Sequence, residues 1–427
     1  RKILAIEREF DPQLGAPVYT IDGKYSVRGW TEWTKGFQIG SAVLQFDATG
    51  EEEFFDVARS KTVEQMSHHV TNVGVHDHGF NNVSTYGGLL RLMNEERIPE
   101  REWERNFYEL ALKASGAVQA SRWTRIGDND GYIHSFNGAH SLFSDTIRSL
   151  RALAVAHQLG QVLKGENDHP ISLLERLVEH ARTTAAYNVY YGDGRDGYDV
   201  RGRVVHESLF NAKNGTYRCP SSQQGYSPFT TWTRGLAWVV CGFAEQLEFL
   251  DALTDDELEP FGGRDDIRQT MLLAATATCD YYIDSTPTCG IPYWDTGAPE
   301  LHRIVEHSDR PADPFNDFEP VDSSAAAIAA QGLLRLGRYL DSDRYWQAGL
   351  QVVKSLLSEP YLSVDPEHHG LILHSVYHWP NRWDHVPPGS KISYGEATMW
   401  GDYHAREVVL YLQRLQNEGP YLKFYLN

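Results

Sequence analysis

Two kinds of helical segment alternate along this chain of 427 residues. One kind is poor in charge and rich in small residues, and it covers residues 34–47, 84–95, 141–159, 231–249, 322–340 and 397–417. The other kind is amphipathic, with Glu, Arg and Lys on one side, and it covers residues 51–68, 101–121, 171–190, 265–284 and 342–358. Buried helices that alternate with half-exposed ones are typical of an inner ring of helices inside an outer ring. The sequence therefore predicts an all-α fold, an (α/α)6 barrel, with residues 1–427 in a single catalytic domain.

The links between these segments differ in length in a regular way. Links from an inner to an outer helix are short, such as Ala48-Thr49-Gly50, whereas links from an outer to an inner helix are long. The long links are crowded with His, Asp, Tyr and Trp, and they cover residues 70–80, 121–140, 191–230, 285–320 and 360–398. In an alternating barrel they share one end with the N-termini of the inner helices, whose partial positive charge favours an anionic ligand. We therefore expect the functional site at that end.

Composition disfavours several classes of protein. The formal net charge is −19, which argues against nucleic-acid binding, because a basic surface supplies most of that affinity. No apolar run approaches the roughly 18 residues of a membrane span, so we expect no membrane partner. The four cysteines have no CxxC spacing, which disfavours a disulfide framework or a zinc cluster. The sequence leaves the compartment open between cytoplasm and periplasm, and the oligomeric state open between monomer and homodimer.

Two aspartates are candidates for acid–base chemistry. Asp145 lies at the start of a charge-poor helix, opposite the packing stripe that begins at Phe143, which places it on the bore side of the barrel. Asp77 lies just before the predicted inner helix at 84–95. Two carboxylates at one barrel mouth are the usual equipment for cleaving a glycosidic bond. The alternative for each is a helix-start residue that stabilises the positive end of the helix dipole.

The residues on either side of Asp77 form a His-x-His pair, His76 and His78, which can bind a metal ion. No further ligands recur with this pair at helical spacing. We therefore predict no metal site, and nothing in the sequence indicates another cofactor.

A buried cation is predicted on another inner helix. Arg234 and Trp238 are four residues apart and share a helix face. An arginine on a helix so poor in other charges needs a partner, which is either a buried acid or the carboxylate of a substrate. His206 and Gln224 lie in the long link before this helix. The residues themselves leave both alternatives open.

These residues belong to a set of ordered motifs. The motifs are His76-Asp77-x-Gly-Phe, Ser144-Asp145-Thr, Gln224-Gly-Tyr-Ser, Trp232-x-Arg234-Gly-x-Ala-Trp238, Ile291-Pro-Tyr-Trp-Asp295 and Asp322-Ser-Ser-Ala. In this order they resemble the unsaturated glucuronyl hydrolases of glycoside hydrolase family 88, and more distantly the unsaturated rhamnogalacturonyl hydrolases of family 105. The similarity runs through most of the chain, from Trp33-Thr-Lys-Gly-Phe to Trp400-Gly-Asp-Tyr-His.

The resemblance implies a role for each of the candidate residues. It implies an (α/α)6 barrel, with Asp145 as the general acid/base and Asp77 as the essential second carboxylate. Phe136 and Gln38 stand where the family pattern leads us to expect tryptophans of the sugar platform. The predicted substrate-binding residues are His76, Phe136, His206, Gln224, Arg234, Trp238 and Tyr377.

The implied partner is an oligosaccharide that a polysaccharide lyase has left with a 4,5-unsaturated uronate at its non-reducing end. Asp145 would protonate C4 of this sugar and help to deliver water to C5. A carboxyl that acts as an acid near neutral pH needs a pKa above its reference of ~3.9, and we expect the nearby Asp77 to raise it. The resemblance implies no metal ion and no organic cofactor.

Three other functions remain compatible with the sequence. The first is a conventional inverting glycosidase that uses Asp77 and Asp145 as acid and base. The second is a polysaccharide lyase that uses His206, Tyr226 and Arg234. The third is a sugar-binding barrel without catalytic activity.

Overall fold

A computed structural model describes residues 1–28, 33–127 and 130–426 of the protein. The α-helices are α1 (Lys2–Glu9), α2 (Lys35–Thr49), α3 (Glu52–Gln65), α4 (Ser67–Val70), α5 (His78–Asn82), α6 (Gly88–Asn94), α7 (Glu102–Ser121), α8 (Thr146–Ser149), α9 (Arg151–Gln158), α10 (Leu173–Tyr187), α11 (Thr233–Leu250), α12 (Asp255–Leu258), α13 (Gly263–Ser285), α14 (Ser323–Tyr339), α15 (Asp343–Leu356) and α16 (Met399–Gln416). The strands are β1 (Tyr19–Ile21), β2 (Lys24–Ser26), β3 (Trp123–Arg125), β4 (Gly131–Ile133), β5 (Ser141–Phe143), β6 (Val162–Lys164), β7 (Pro170–Ser172), β8 (Glu207–Phe210) and β9 (Tyr217–Ser221).

Six helical units form a closed inner ring. They are α2, α5 with α6, α8 with α9, α11, α14 and α16; each unit contacts the next, and α16 returns to contact α2. Helices α3, α7, α10, α13 and α15 pack outside this ring. The prediction of an all-α barrel with two rings of helices is therefore confirmed.

The charge-poor segments are buried because they are enclosed on all sides. In α14 every residue from Ser323 to Gly337 is buried. Its first turn is capped by Asp322, whose carboxylate accepts hydrogen bonds from the N–H groups of Ser324 and Ala325, as helix starts require. A side chain at Gly332 would lie 2.5 Å from the carbonyl oxygen of Val240 on α11. Only glycine allows the two inner helices to approach this closely.

Three segments differ from the sequence prediction. Residues 141–143 are a strand rather than the start of an inner helix, because β5 pairs with β8 of the long link 191–230. The second inner helix begins at His78 rather than near residue 84, and a π-helical turn, Val83–Gly87, joins α5 to α6. The short helix α1 was missed; it packs against α2 and buries Ile3 and Ile6.

The strands are short additions to the barrel. Strands β1 and β2, β3 and β4, and β6 and β7 pair as antiparallel hairpins. Strands β5, β8 and β9 form an antiparallel sheet in the order β5-β8-β9. No helix in the described part of the chain is both long enough and apolar enough to cross a membrane.

Candidate active site

A cavity of about 610 Å³ opens where the long links meet the barrel. Four of these links contribute to its wall, at residues 76–77, 136–137, 223–232 and 377–383. The lining residues are Trp33, His76, Asp77, Phe136, Asn137, Phe143, Asp145, Gln223, Gln224, Trp232, Arg234, Trp238, Tyr377, His378, Asn381 and Trp383. The structure thus brings eight of the nine predicted site residues to one cavity, and the ninth, His206, packs behind its wall.

The two candidate aspartates lie on either side of one imidazole. Nε2 of His76 is 3.5 Å from Oδ1 of Asp145 and 3.8 Å from Oδ1 of Asp77. Both aspartates directly precede an inner helix, Asp77 before α5 and Asp145 before α8, and neither side chain makes a capping hydrogen bond. A capping hydrogen bond therefore does not explain them. Both residues are at least nine-tenths buried.

The charges of these three groups are coupled. Burial raises the pKa of Asp77 above its ordinary value. Burial acts in the same direction on Asp145, but the imidazole of His76, whose Nε2 is 3.5 Å away, outweighs it and lowers the pKa of that carboxyl. Burial would lower the pKa of His76, but the nearby carboxylates of Asp77 and Asp145 raise it. The expectation that Asp77 raises the pKa of Asp145 in the free protein is therefore wrong, because His76 lies between them.

The backbone at His76 is fixed by one neighbouring inner helix, α8, and by the outer helix α7. The hydroxyl of Ser149 donates to the carbonyl oxygen of His76 (2.5 Å) and accepts from the N–H of Gly79 (3.1 Å). The amide of Gln119 donates to the same carbonyl (2.8 Å). Ser149 follows Asp145 by one helical turn, so these bonds fix the position of one aspartate relative to the other.

His206 has a defined tautomer. Its Nδ1 accepts hydrogen bonds from the backbone N–H groups of Gln223 (3.1 Å) and Gln224 (3.3 Å). The proton of the neutral ring must therefore be on Nε2. Burial lowers the pKa of His206 to about 4, so the ring stays neutral. Nε2 is buried and finds no hydrogen-bond acceptor among the described residues.

Arg234 has the buried acid as its partner. Its guanidinium donates to Asp322 (2.7 Å), to Gln224 (2.8 Å) and to the carbonyl oxygens of Val376 and Tyr377 (2.6 Å each). Arg234 is 1% exposed. Its charge is therefore balanced by a buried acid, the first of the two alternatives, while the residue also lines the cavity. The bond to Oε1 of Gln224 fixes that amide so that its NH₂ group points away from Arg234.

The aromatic candidates take different positions. Trp238 is buried against Phe80, with ring centroids 4.8 Å apart. Phe136 lies over His76 at 5.9 Å. Tyr377 packs against Trp383 at 5.5 Å.

Gln38 is not at the cavity. Its amide donates to Glu7 (2.9 Å) on α1. Trp33, which stacks on Trp400 at 4.8 Å, is the aromatic residue that this part of the chain gives to the cavity wall.

The His-x-His pair does not form a metal site. Both ring nitrogens of His78 are occupied, by the hydroxyl of Ser115 (2.9 Å) and by the carbonyl oxygen of Asn72 (3.0 Å). His76 instead faces the two aspartates. The two imidazoles therefore do not converge on a common ion.

Comparison with known proteins gives one consistent result. No family model matches the chain. The unsaturated glucuronyl hydrolase of Formosa agariphila is 26% identical over 391 residues, which cover 90% of this chain and 80% of that protein. The enzyme of the same name from Bacillus sp. (strain GL1) is 25% identical over 403 residues, 92% of this chain and 89% of that one. The chain is a relative of the unsaturated glucuronyl hydrolases.

A solved structure shows that the fold is shared. An unsaturated glucuronyl hydrolase specific for heparin superposes with a TM-score of 0.73 at 18% sequence identity, and the match covers 100% of this chain and 96% of that one. The resemblance to unsaturated glucuronyl hydrolases that the ordered motifs predicted is therefore confirmed.

Several lining residues of this relative of the unsaturated glucuronyl hydrolases were not predicted from its sequence. They are Trp33, Asn137, Phe143, Gln223, Trp232, His378, Asn381 and Trp383. The last three lie in the long link 360–398, close to Tyr377. The density of aromatic and amide side chains at 377–383 is the signal that could have identified them.

Proposed function

We propose that the protein is a hydrolase that acts on the 4,5-unsaturated uronic acid at the non-reducing end of oligosaccharides left by polysaccharide lyases. The main support for this proposal is that Asp77 and Asp145 lie on either side of the imidazole of His76, in a cavity lined by aromatic residues. Its relatives support the substrate class. Streptococcal relatives are named unsaturated chondroitin disaccharide hydrolases, and one structural neighbour is a variant with dGlcA-Glc-Rha-Glc.

The reaction adds water to a carbon–carbon double bond. Asp145 gives a proton to C4, and a water molecule adds to C5 and loses a proton to the same carboxylate. The resulting hemiketal opens to a ketone at C5, and the hemiacetal left at C1 releases the rest of the oligosaccharide as an alcohol. Atoms balance with one water consumed, and neither a metal ion nor an organic cofactor takes part.

Binding of the substrate supplies the proton at Asp145. In the free protein the coupled group keeps that proton on His76 or Asp77, because the pKa of Asp145 is lowered. A nearby negative charge and the removal of water both raise the pKa of a carboxyl. Because the removal of water also lowers the pKa of an imidazole, a sugar that displaces water from the cavity favours transfer of a proton from His76 to Asp145.

The carboxylate of the substrate needs neutral donors and helix ends rather than a free arginine. Gln224, which lines the cavity, offers an amide NH₂ that Arg234 orients, and we assign the fixed Nε2–H of His206, just behind the cavity wall, as a second donor. The N-termini of α5 and α8 add N–H groups next to Asp77 and Asp145, although both helices are short. We assign Phe136, Trp238 and Tyr377 to contact with the sugar rings.

One assay tests the proposed function directly. A panel of lyase-generated unsaturated disaccharides is incubated with the protein, and the ultraviolet absorbance of the C4=C5 bond is followed. We expect the absorbance to fall, and the product formed in heavy water to carry one deuterium at C4. Cleavage of saturated disaccharides instead would indicate a conventional glycosidase, and a rise in absorbance with intact polysaccharide would indicate a lyase.

A further inference from the structure

An exposed aromatic surface lies along the link that forms one wall of the cavity. We define this surface, the aromatic platform, by Tyr198, Tyr226 and Phe229, which are 57%, 51% and 42% exposed. The rings of Tyr198 and Phe229 stack with their centroids 4.6 Å apart. Large aromatic side chains that remain this exposed in one cluster mark a binding surface more often than isolated exposed residues do.

The platform is held by a rigid loop. The N–H of Tyr226 donates to Asp295 (2.8 Å), the N–H of Ser227 to Thr230 (3.3 Å) and the N–H of Phe229 to Ser227 (3.1 Å). Tyr226 and Phe229 therefore belong to a loop whose backbone is held by side-chain hydrogen bonds, and Tyr198 stacks on this loop from an earlier part of the same link. A ligand that binds there has little conformational entropy of the loop to overcome.

The platform lies close to the cavity along the chain. Tyr226 is two residues from Gln224, which lines the cavity, so their Cα atoms are at most about 7 Å apart. Asp295, which holds the N–H of Tyr226, also pairs with Trp232 of the cavity wall through a β-bridge. The stacked ring of Phe229 follows Tyr226 by three residues in the same loop.

We propose that the aromatic platform binds the sugars of longer unsaturated oligosaccharides that lie beyond the disaccharide in the cavity. This inference rests on the proposed function, because it takes the non-reducing end to be the end that enters the cavity. Sugar rings present a face of C–H groups, and aromatic rings offer a flat apolar surface on which that face can rest. The platform needs no charge and therefore suits saccharides of different sulfation.

The experiment compares two substrates from the same polysaccharide, an unsaturated disaccharide and an unsaturated tetrasaccharide. The variants are Tyr226→Ala, Phe229→Ala and Tyr198→Ala. For each we expect kcat/KM on the tetrasaccharide to fall roughly three- to tenfold, the range of a lost aromatic contact, while kcat/KM on the disaccharide is unchanged. The change should lie in KM, because the platform does not touch the reacting atoms.

The matched control is Trp103→Ala. Trp103 is 59% exposed on the outer helix α7, away from the links that form the cavity, so both substrates should be turned over as by the wild type. Thermal midpoints identify any variant that fails to fold; Tyr198→Ala then tests the platform without altering the loop at 225–230.

Different outcomes separate the two proposals. If the wild-type protein leaves unsaturated disaccharides intact, the proposed function is wrong. If it hydrolyses them but all three variants treat both substrates like the wild type, or lose both equally, the platform proposal is overturned. A variant that changes only the sedimentation behaviour of the protein would instead show that the surface binds a second copy of the chain, which also overturns it.

Discussion

At the scale of single residues, His76 decides how the proton is shared between the two aspartates. It contacts both, and both of its ring nitrogens are buried. The sequence placed it with the substrate-binding residues, because a motif gives the order of residues but not which of them lie between two others. The structure instead places it as the link between Asp77 and Asp145.

The pH profile should depend on this imidazole. In the wild type, Asp77, His76 and Asp145 share protons, and the last proton to leave them comes from His76, whose pKa is raised above 6.5. We therefore expect kcat/KM to fall on the alkaline side above that pH. In His76→Asn a carboxyl, with an ordinary pKa of 3.8, holds the last proton, and the alkaline limb should move to lower pH. The measurement is kcat/KM against pH, which reports ionisations of the free enzyme.

The control for this change is His157→Asn. His157 lies on α9 and pairs with Glu257 (3.0 Å), so its loss should leave the profile in place. If His76→Asn lowered activity at every pH without moving the limb, His76 would have only a structural role.

We expect Asp145 to act in catalysis rather than to stabilise the start of α8. Asp145→Asn is nearly isosteric and removes the transferable proton, so turnover should fall by ~10²–10⁴-fold, the usual contribution of general acid–base catalysis. Because Asp145 makes no capping hydrogen bond, the thermal midpoint and substrate binding should stay close to the wild type. Asp11→Asn is the control, since Asp11 does cap a helical turn, through the N–H of Gln13. Near-normal turnover of Asp145→Asn would refute the assignment.

At the scale of helices and strands, the sequence predicted the helices that depend on local pattern. It did not predict the strand whose formation depends on a distant partner. The charge-poor and amphipathic segments identified five outer helices and all six inner units, because burial on all sides excludes charge from a helix. Ser141–Phe143 is also buried, and its pattern cannot distinguish a buried strand from a buried helix. Only its partner β8 in another link decides the structure.

The same limit applies to the site. Asp77 and Asp145 were found from short motifs, since each directly precedes an inner helix. The partner of Arg234 is 88 residues away in sequence, at Asp322, and the residues themselves left open whether it was an acid or a substrate. The side chains from 360–398 reach the cavity by the course of a long loop, which no periodicity predicts.

The contact between α5 and α8 should set the distance between the two aspartates. A Cβ at Gly79 would lie 2.1 Å from the carbonyl oxygen of Ser149, and this backbone group cannot rotate away. Gly79→Ala should therefore push the two units apart, lower the free energy of unfolding by about 1–3 kcal/mol and reduce turnover more than tenfold.

The matched control is Gly197→Ala, where an added Cβ meets no atom within 4 Å. It should change stability by less than about 0.5 kcal/mol. Denaturant unfolding and turnover of an unsaturated disaccharide measure both effects. A fully active Gly79→Ala protein would show that the contact does not position the aspartates.

At the scale of the whole molecule, the cavity and the ion pairs that close the inner ring lie at opposite ends of the barrel. The cavity lies where the inner helices begin. At the other end, near the C-terminus of α16, Arg414 pairs with Asp47 of α2 (2.7 Å) and with Glu95 just after α6 (2.6 Å). The last inner helix is thereby joined to the first two.

Breaking this junction should separate stability from activity. Arg414→Gln leaves the buried carboxylate of Asp47 with Arg91 (2.7 Å) and Arg97 (3.4 Å) as its remaining charged partners, so the free energy of unfolding should fall by roughly 3 kcal/mol, the lower end for a broken buried pair. Turnover per folded molecule should be unchanged, because Arg414 lies at the end of the barrel away from the cavity. The exposed pair of Lys391 and Asp317 (3.5 Å) supplies the control: Lys391→Gln should cost less than about 1 kcal/mol. Equal stability of the two variants in urea would show that ring closure does not depend on this junction.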